Sequence, residues 1–272
     1  MMPAKRKDDH LQWRLRTPRH ELVRFAGWLG LVAFTLWCFE IMTRDTIWSF
    51  ALDAPRQAAD LLGRMVPPRW SYIDQLWWAM WETLNIATLG TLLAIVMALP
   101  VAFLAARNTT PSGWLVRPLA LFVIVSSRSI NSLIWALLLV SIIGPGVLAG
   151  IIAIALRSIG FIAKLMYEAI EEIDSSQVEA VTATGASAPQ VLVYGIWPQI
   201  LPAFAGVCVF RWDINIREST VLGLVGAGGI GLNLQASLNV LAWPQVTLIF
   251  IVILATVGVS EWISAKVRHA FI

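Results

Sequence analysis

Long apolar stretches without charge recur along the chain, separated by short polar connections, and each is long enough to be tested as a membrane span. About 20 mainly apolar residues in helical form cross a hydrocarbon core. Residues 25–39 carry no charge and continue past Glu40 to Met42, which predicts a first span. Residues 83–106 are uncharged throughout and predict a second, kinked at Pro100. Residues 118–143 predict a third, interrupted by Arg128, and the turn Gly144-Pro145-Gly146 precedes a fourth at 147–163, interrupted by Arg157. Residues 201–222 and 246–263 complete six. The expected fold is therefore all-α and integral to the membrane. It divides into a tail (1–24), a first span with a following loop (25–81) that holds an interfacial helix near 54–65, and a helical core (82–272).

Composition agrees with this pattern and removes its rivals. Hydrophobic residues make up 58% of the chain and charged residues only 14%, where soluble chains carry roughly 25% charge. Most of the surface therefore faces lipid, and disordered, collagenous and disulfide-rich classes are excluded. Cys38 and Cys208 both lie in apolar stretches, where a thiol packs as a small hydrophobe. Lys and Arg in short connections resist translocation, so their count sets orientation. With both termini in the cytoplasm, twelve fall inside, four outside and four within spans. Trp77, Trp78 and Trp81 cluster before the second span, and Trp243 and Trp262 bracket the sixth, as interfacial anchors do. No small-residue cleavage site follows the first apolar run, so an uncleaved anchor is expected.

The chemistry of enzymes and nucleotide-driven pumps is missing from the sequence. His10, His20 and His269 sit in the tails, far from a shared metal site, and no nucleophile is paired with a base, so neither catalytic nor metal residues are expected. None of the four lysines follows a glycine, so the chain has no phosphate-binding loop, and ATP, if used, is bound by another chain. The run Gly226 to Gly231 lacks the βαβ context of a dinucleotide loop. Nothing in the sequence suggests nucleic-acid binding.

Six charges fall inside predicted spans: Arg128, Arg157, Arg211, Asp213, Arg217 and Glu218. Each costs at least ~2.5 kcal/mol at mid-membrane unless it finds a partner or water. Asp213 can pair with Arg217 and Arg211 with Glu218 along one helix. Arg128 and Arg157 have no carboxylate within a helical turn and need a partner elsewhere or an aqueous route. Four basic residues against two acidic ones favour a pathway for an anion, lined by Arg128, Asn131, Arg157, Arg211, Asn215 and Arg217. The uncharged run 219–260 is too long for one span, and Gly226, Gly228, Gly229 and Gly231 mark a tight crossing, a break or a gate hinge.

The connection between the fourth and fifth spans reads as two short helices. Ser176 and Glu179 fit a capping box, Gly185 a helix stop, Pro189 the first turn of a second helix and Pro198 its end. Ala180, Ala183, Gly185 and Ala186 leave a surface that another protein can approach closely.

These residues resemble the permease subunits of ABC importers, whose cytoplasmic loop runs E-A-A, three residues, G, nine residues, I-x-L-P. Glu179, Ala180, Gly185 and Pro198 fall in register, while Val181, Gly195 and Trp197 replace the second alanine, the isoleucine and the leucine. From about Leu76 onward the chain is most similar to phosphonate and phosphite permeases, on residues 100–108, Arg128-Ser129-Ile130-Asn131, 183–186, 194–199 and 211–231. The resemblance implies a type I importer fold with coupling helices near 175–198. It also implies two permease copies in the bacterial inner membrane, two ATPase subunits that bind ATP and magnesium, and a periplasmic or lipid-anchored solute-binding protein. Glu179, Ala180, Ala183, Gly185 and Pro198 would carry the ATPase contact. Two alternatives stay open: a permease for an amino acid such as methionine, and a secondary transporter independent of ATP.

Overall fold

A computed structural model describes residues 5–7, 10–12 and 18–271, with side chains from 20 to 268. The side chains of His10 and His269, and of the tail's basic residues up to Arg19, lie outside that set. The chain forms two compact units, Met1–Asp60 and Leu61–Ile272. In the first, β1 (Lys5–Lys7) and β2 (His10–Gln12) form a short antiparallel pair, the only strands among the described residues. Helix α1 (Pro18–Thr43) opens on a proline, which suits a first helical turn, so the helix takes in the end of the tail drawn at 1–24. Helix α2 (Trp48–Met65) starts six residues before the interfacial helix expected at 54–65. Its exposed Phe50, Leu52 and Leu62 suit a helix lying at a lipid surface.

The second unit reaches back beyond the expected boundary at 82. The reason is a set of contacts the polar loop makes with the core: the Arg69 N–H donates to Pro244 O (3.0 Å), Thr247 Oγ1 donates to Met65 O (2.9 Å), and Leu76 is fully buried. Helix α3 (Ile73–Ala105) carries a stripe of small residues, from Ala87 and Gly90 through Ala94, Ala98 and Ala102. That stripe lets α6 (Val147–Glu171) lie close against it, the usual device where water supplies no drive for helix association. A Cβ on Gly90 would stand 2.8 Å from Ile154 Cγ2. Helices α9 (Trp197–Leu222) and α11 (Trp243–Phe271) complete the bundle. Spans two, four, five and six stand where the apolar runs placed them.

The third span is different. Instead of one rod over 118–143, helix α4 (Val116–Ser129) and helix α5 (Ser132–Ile143) meet at 89°. Asn131 makes the break: its backbone is extended, and its Oδ1 accepts from the Leu133 N–H at 3.0 Å to cap α5. Counting the bent pair as one, six elements among the described residues are long and apolar enough to cross a membrane.

The glycine segment resolves into a break that is also a tight crossing. Gly226, Gly228 and Gly229 hold φ of +88°, +86° and +76°, a region closed to most side chains. They turn the chain from α9 into α10 (Ile230–Asn239). A Cβ on Gly223 would lie 2.5 Å from Gly231 Cα, and one on Gly229 2.6 Å from Thr83 Oγ1. Side chains of α3 satisfy the start of α10: Thr83 Oγ1 accepts from the Ile230 N–H (2.8 Å) and Glu82 from the Gly229 N–H (3.3 Å). A Gly229→Val protein is therefore expected to lose about 3 kcal/mol or more from strain and overlap together. Monodisperse yield after detergent extraction reads the loss, and an unchanged yield would argue against this packing.

Candidate functional site

The polar residues of the spans converge on a belt across α3, α6 and α9. Ser158 on α6 is its hub. Its hydroxyl accepts from Arg211 Nε at 2.9 Å and from Asn215 Nδ2 at 3.1 Å, and Asn215 Nδ2 also donates to Thr91 Oγ1 at 2.8 Å. Arg211 is 3% exposed and Asn215 is wholly buried, and the Arg211 guanidinium stands 5.2 Å from the centre of the Phe161 ring. Glu218 bridges two arginines, with Oε1 2.9 Å from Arg157 Nη1 and Oε2 3.5 Å from Arg211 Nη2. Arg157 also donates to Ser132 Oγ at 3.3 Å, which ties α6 to the start of α5. A second group joins Arg217 to Asp213 (2.5 Å) and to Glu261 (3.7 Å), with Ser260 Oγ donating to Asp213 at 2.8 Å.

This arrangement sorts the six residues expected to line a pathway. Both pairings foreseen on α9, Asp213 with Arg217 and Arg211 with Glu218, are present. Arg157 finds its carboxylate on another helix. Arg211 and Asn215 are buried, and through Ser158 and Thr91 they tie α9 to α6 and α3. Asn131 spends its side-chain oxygen on the α5 cap. Arg128, at the end of α4, is exposed and makes no ion pair among the described residues. Ser158, Thr91, Ser132, Ser260 and Glu261 were not anticipated. Only Glu261 carried a signal, as the charge that ends the apolar run 219–260. It lowers the local excess of positive charge from two to one.

A cleft of about 440 Å³ opens among α3, α9 and α11, lined by Leu76, Trp77, Met80, Trp212, Ile216 and Val252. Its walls are apolar, so it offers an anion nothing.

At one end of the bundle, α6 leads into helix α7 (Ser175–Ala183). Here the capping expectation needs correction. The N-cap is Asp174, whose carboxylate accepts from the Ser176 hydroxyl (2.8 Å) and N–H (2.9 Å), so Ser176 lies inside the first turn and Glu179 outside any box. The Ser176 hydroxyl and N–H hold the Asp174 carboxyl below the ordinary carboxylate range. That stabilisation is present above the ordinary pKa and is lost as pH falls through the lowered one. The reciprocal cap belongs to the next helix, α8 (Ala188–Val191), where Gln190 Oε1 accepts from the Ser187 N–H at 2.8 Å. Glu179, Ala180 and Ala183 are exposed, and Glu179 has no partner among the described residues. Gly185 follows α7 with φ +82° as its left-handed stop. Pro198 does not end a helix. A π turn, Leu192–Ile196, carries α8 into α9, and Pro198 stands in the first turn of α9, where a missing N–H is tolerated.

Two of the departures from the E-A-A loop pattern, Val181 and Gly195, lie against each other. The inner face of α7 presents Val178 and Val181 to Gly195, and a Cβ at 195 would meet Val178 Cα at 3.5 Å and Val181 at 3.8 Å. A larger residue at 181 is thus matched by none at 195. Gly195→Ile alone is expected to cost about 1–3 kcal/mol by overpacking, and adding Val181→Ala is expected to recover most of it. A double-mutant cycle on complex stability checks this, and additive losses would contradict it. Gln199 then ties α7 to α9: its Oε1 accepts from the Asp174 N–H (3.0 Å) while its Nε2 donates to Gly195 O (2.7 Å). On the other side, Glu171 accepts from the Arg107 N–H (2.9 Å) and lies 3.6 Å from Arg117, joining the α3–α4 loop to the end of α6.

Residues 90–264 match the family model described as the binding-protein-dependent transport system inner membrane component. A phosphite transport system permease protein of Stutzerimonas stutzeri is 36% identical over 99% of this chain and 96% of its own. A phosphate-import permease protein of Mycolicibacterium smegmatis is 40% identical over 83% of this chain and 42% of its own. A probable D-methionine permease of Pasteurella multocida is 25% identical over 69% of this chain. Among solved structures, an inward-facing methionine ABC transporter superposes with a TM-score of 0.65 at 20% identity, covering 75% of this chain and 99% of that one, which shows a shared type I importer fold.

Proposed function

The chain belongs to the inner-membrane components of binding-protein-dependent transport systems, and from that premise we propose that it is the permease of an ATP-driven importer of a phosphorus oxyanion, phosphite or a phosphonate. The observation that carries the cargo is the end-to-end likeness to a permease named for phosphite, where the likeness to methionine permeases is weaker and shorter. The arginine-rich belt supports it, because an anion crossing a membrane needs positive charge that is already in place.

Coupling runs through α7. Its inner face is fixed to Gly195 and Gln199, its outer face presents Glu179, Ala180 and Ala183, and Gly185 closes it without a side chain. An ATPase subunit, which would hold the ATP and magnesium that this chain has no loop to bind, docks on that outer face. Closure of two such ATPases pulls α7, and α9 moves with it through Gln199. Cargo arrives on a solute-binding protein at the opposite end. The Lys and Arg count puts both termini in the cytoplasm, on the side of the membrane where an ATPase would dock.

Arg128 and Arg157 are the pathway candidates that reach the surface, with Arg211 buried behind Arg157. Mid-span and partly exposed on one protomer, they cannot face lipid without a large penalty. A second copy of the chain covers this face, and water occupies the space between. The glycine turn at 223–229 serves as the corner from which α10 starts.

Uptake in cells lacking their own phosphonate and phosphate-type importers, supplied with this chain, its ATPase and its binding protein, tests the cargo. Uptake of phosphite, methylphosphonate or aminoethylphosphonate is expected. Uptake of methionine alone would overturn the cargo and leave the family intact.

A further inference from the structure

The geometry points to Glu218 as a built-in stand-in for the cargo: between passages its carboxylate occupies the seat between Arg157 and Arg211 that two oxygens of a phosphorus oxyanion take in transit. This rests on the oxyanion reading above and deepens it.

Three observations carry it. Glu218 does not pair as a surface carboxylate does, with both oxygens on one cation. It places one oxygen on each of two arginines from different helices, at 2.9 Å and 3.5 Å. A phosphorus oxyanion offers the same divergent pair of acceptor oxygens to guanidinium forks. The seat is also open on one side only. The side chains of Arg157 and Glu218 are 31% and 16% exposed, whereas that of Arg211 is 3% exposed and held from behind by Ser158. An anion arriving beside Arg157 can therefore displace Glu218 without disturbing the buried anchor. Finally, Arg157 has a second acceptor in Ser132 Oγ at 3.3 Å, which keeps its guanidinium in place when Glu218 swings away.

The chemical consequence concerns release. Two arginines without a carboxylate would hold a phosphorus oxyanion too tightly to let it leave, and a competing carboxylate tethered nearby returns the seat to its paired state as the cargo departs. Glu218 thus makes the site weak by design of its own charge, while Arg157 makes it selective for anions.

The test uses the permease–ATPase complex purified in detergent, for equilibrium binding of radiolabelled phosphite, and the same complex with its binding protein in proteoliposomes, for transport. Glu218→Gln is expected to bind phosphite at least about tenfold more tightly than wild type, since a charged competitor is removed from a partly desolvated seat, and to transport it more slowly. The charge-balanced Arg157→Gln/Glu218→Gln permease is expected neither to bind nor to transport. Glu218→Asp, shorter by one methylene and able to reach one arginine at a time, is expected to bind with intermediate affinity, and it decides the matter if Glu218→Gln does not assemble. Tighter binding in Glu218→Gln or Glu218→Asp upholds the proposal whatever cargo the wild type carries. Unchanged binding in whichever assembles, or recovery of transport in the charge-balanced double variant, overturns it even where wild type transports phosphite.

Discussion

A permease carrying Gly185→Arg is expected to insert into the membrane in normal amounts, to recover essentially no ATPase on purification and to show no energised uptake. Two effects act at one position. Gly185 holds φ +82°, where a side chain costs about 1–2 kcal/mol, and this would fray the end of α7. The larger effect is steric and electrostatic: no atom beyond the chain neighbours lies within 4 Å of a Cβ built there, so the new side chain starts from an open surface and extends toward the space where a partner would sit. Insertion is spared because the site lies outside the spans. Quantitative co-purification with tagged ATPase reads the outcome. ATPase recovered at wild-type levels would mean that this face of α7 is not the docking surface.

The second large effect is a contrast between arginines. Arg211→Met is expected to destabilise the assembled protein by about 3 kcal/mol, the lower end of the range for removing one partner of a buried pair, because Arg157 remains to hold Glu218. Ser158 loses its charged donor and Glu218 Oε2 its partner. Arg128→Ala is expected to change stability by no more than about 0.5 kcal/mol, as for surface substitutions, and yet to reduce transport at least tenfold. Thermal retention of the complex in detergent, set beside uptake, separates the two. Equal stability with normal uptake in Arg128→Ala would return that arginine to a structural role. A stable Arg211→Met protein would mean that the Ser158 hub does not hold the helices.

The contrast also shows what the sequence discloses and what it withholds. Length and charge along the chain disclose spans, because crossing a bilayer is a local demand that one stretch meets or fails by itself. Pairs four or seven residues apart on α9 are legible for the same reason. The partner of Arg157 is not, because Glu218 lies on another helix and no spacing rule connects them. Ser158 and Thr91 look like ordinary small polar residues until Asn215 and Arg211 converge on them. The bend at Asn131 sat among the visible signals Arg128-Ser129-Ile130-Asn131, yet counting apolar length absorbed it into one rod. At α7 the pattern put Glu179 and Gly185 in place, and it placed the cap two residues late because Asp174 and Ser176 are both competent caps. Val181 and Gly195 looked like unrelated departures, and only the packing of α7 on the π turn joins them.

The most direct measurement is phosphite accumulation in proteoliposomes holding this permease with its ATPase, with phosphite-loaded binding protein outside and ATP inside, in the presence and absence of a protonophore. Accumulation that requires the ATPase, the binding protein and ATP, and that ignores the protonophore, is the expected result. Accumulation that persists without the ATPase, or collapses with the proton gradient, would contradict ATP-driven import.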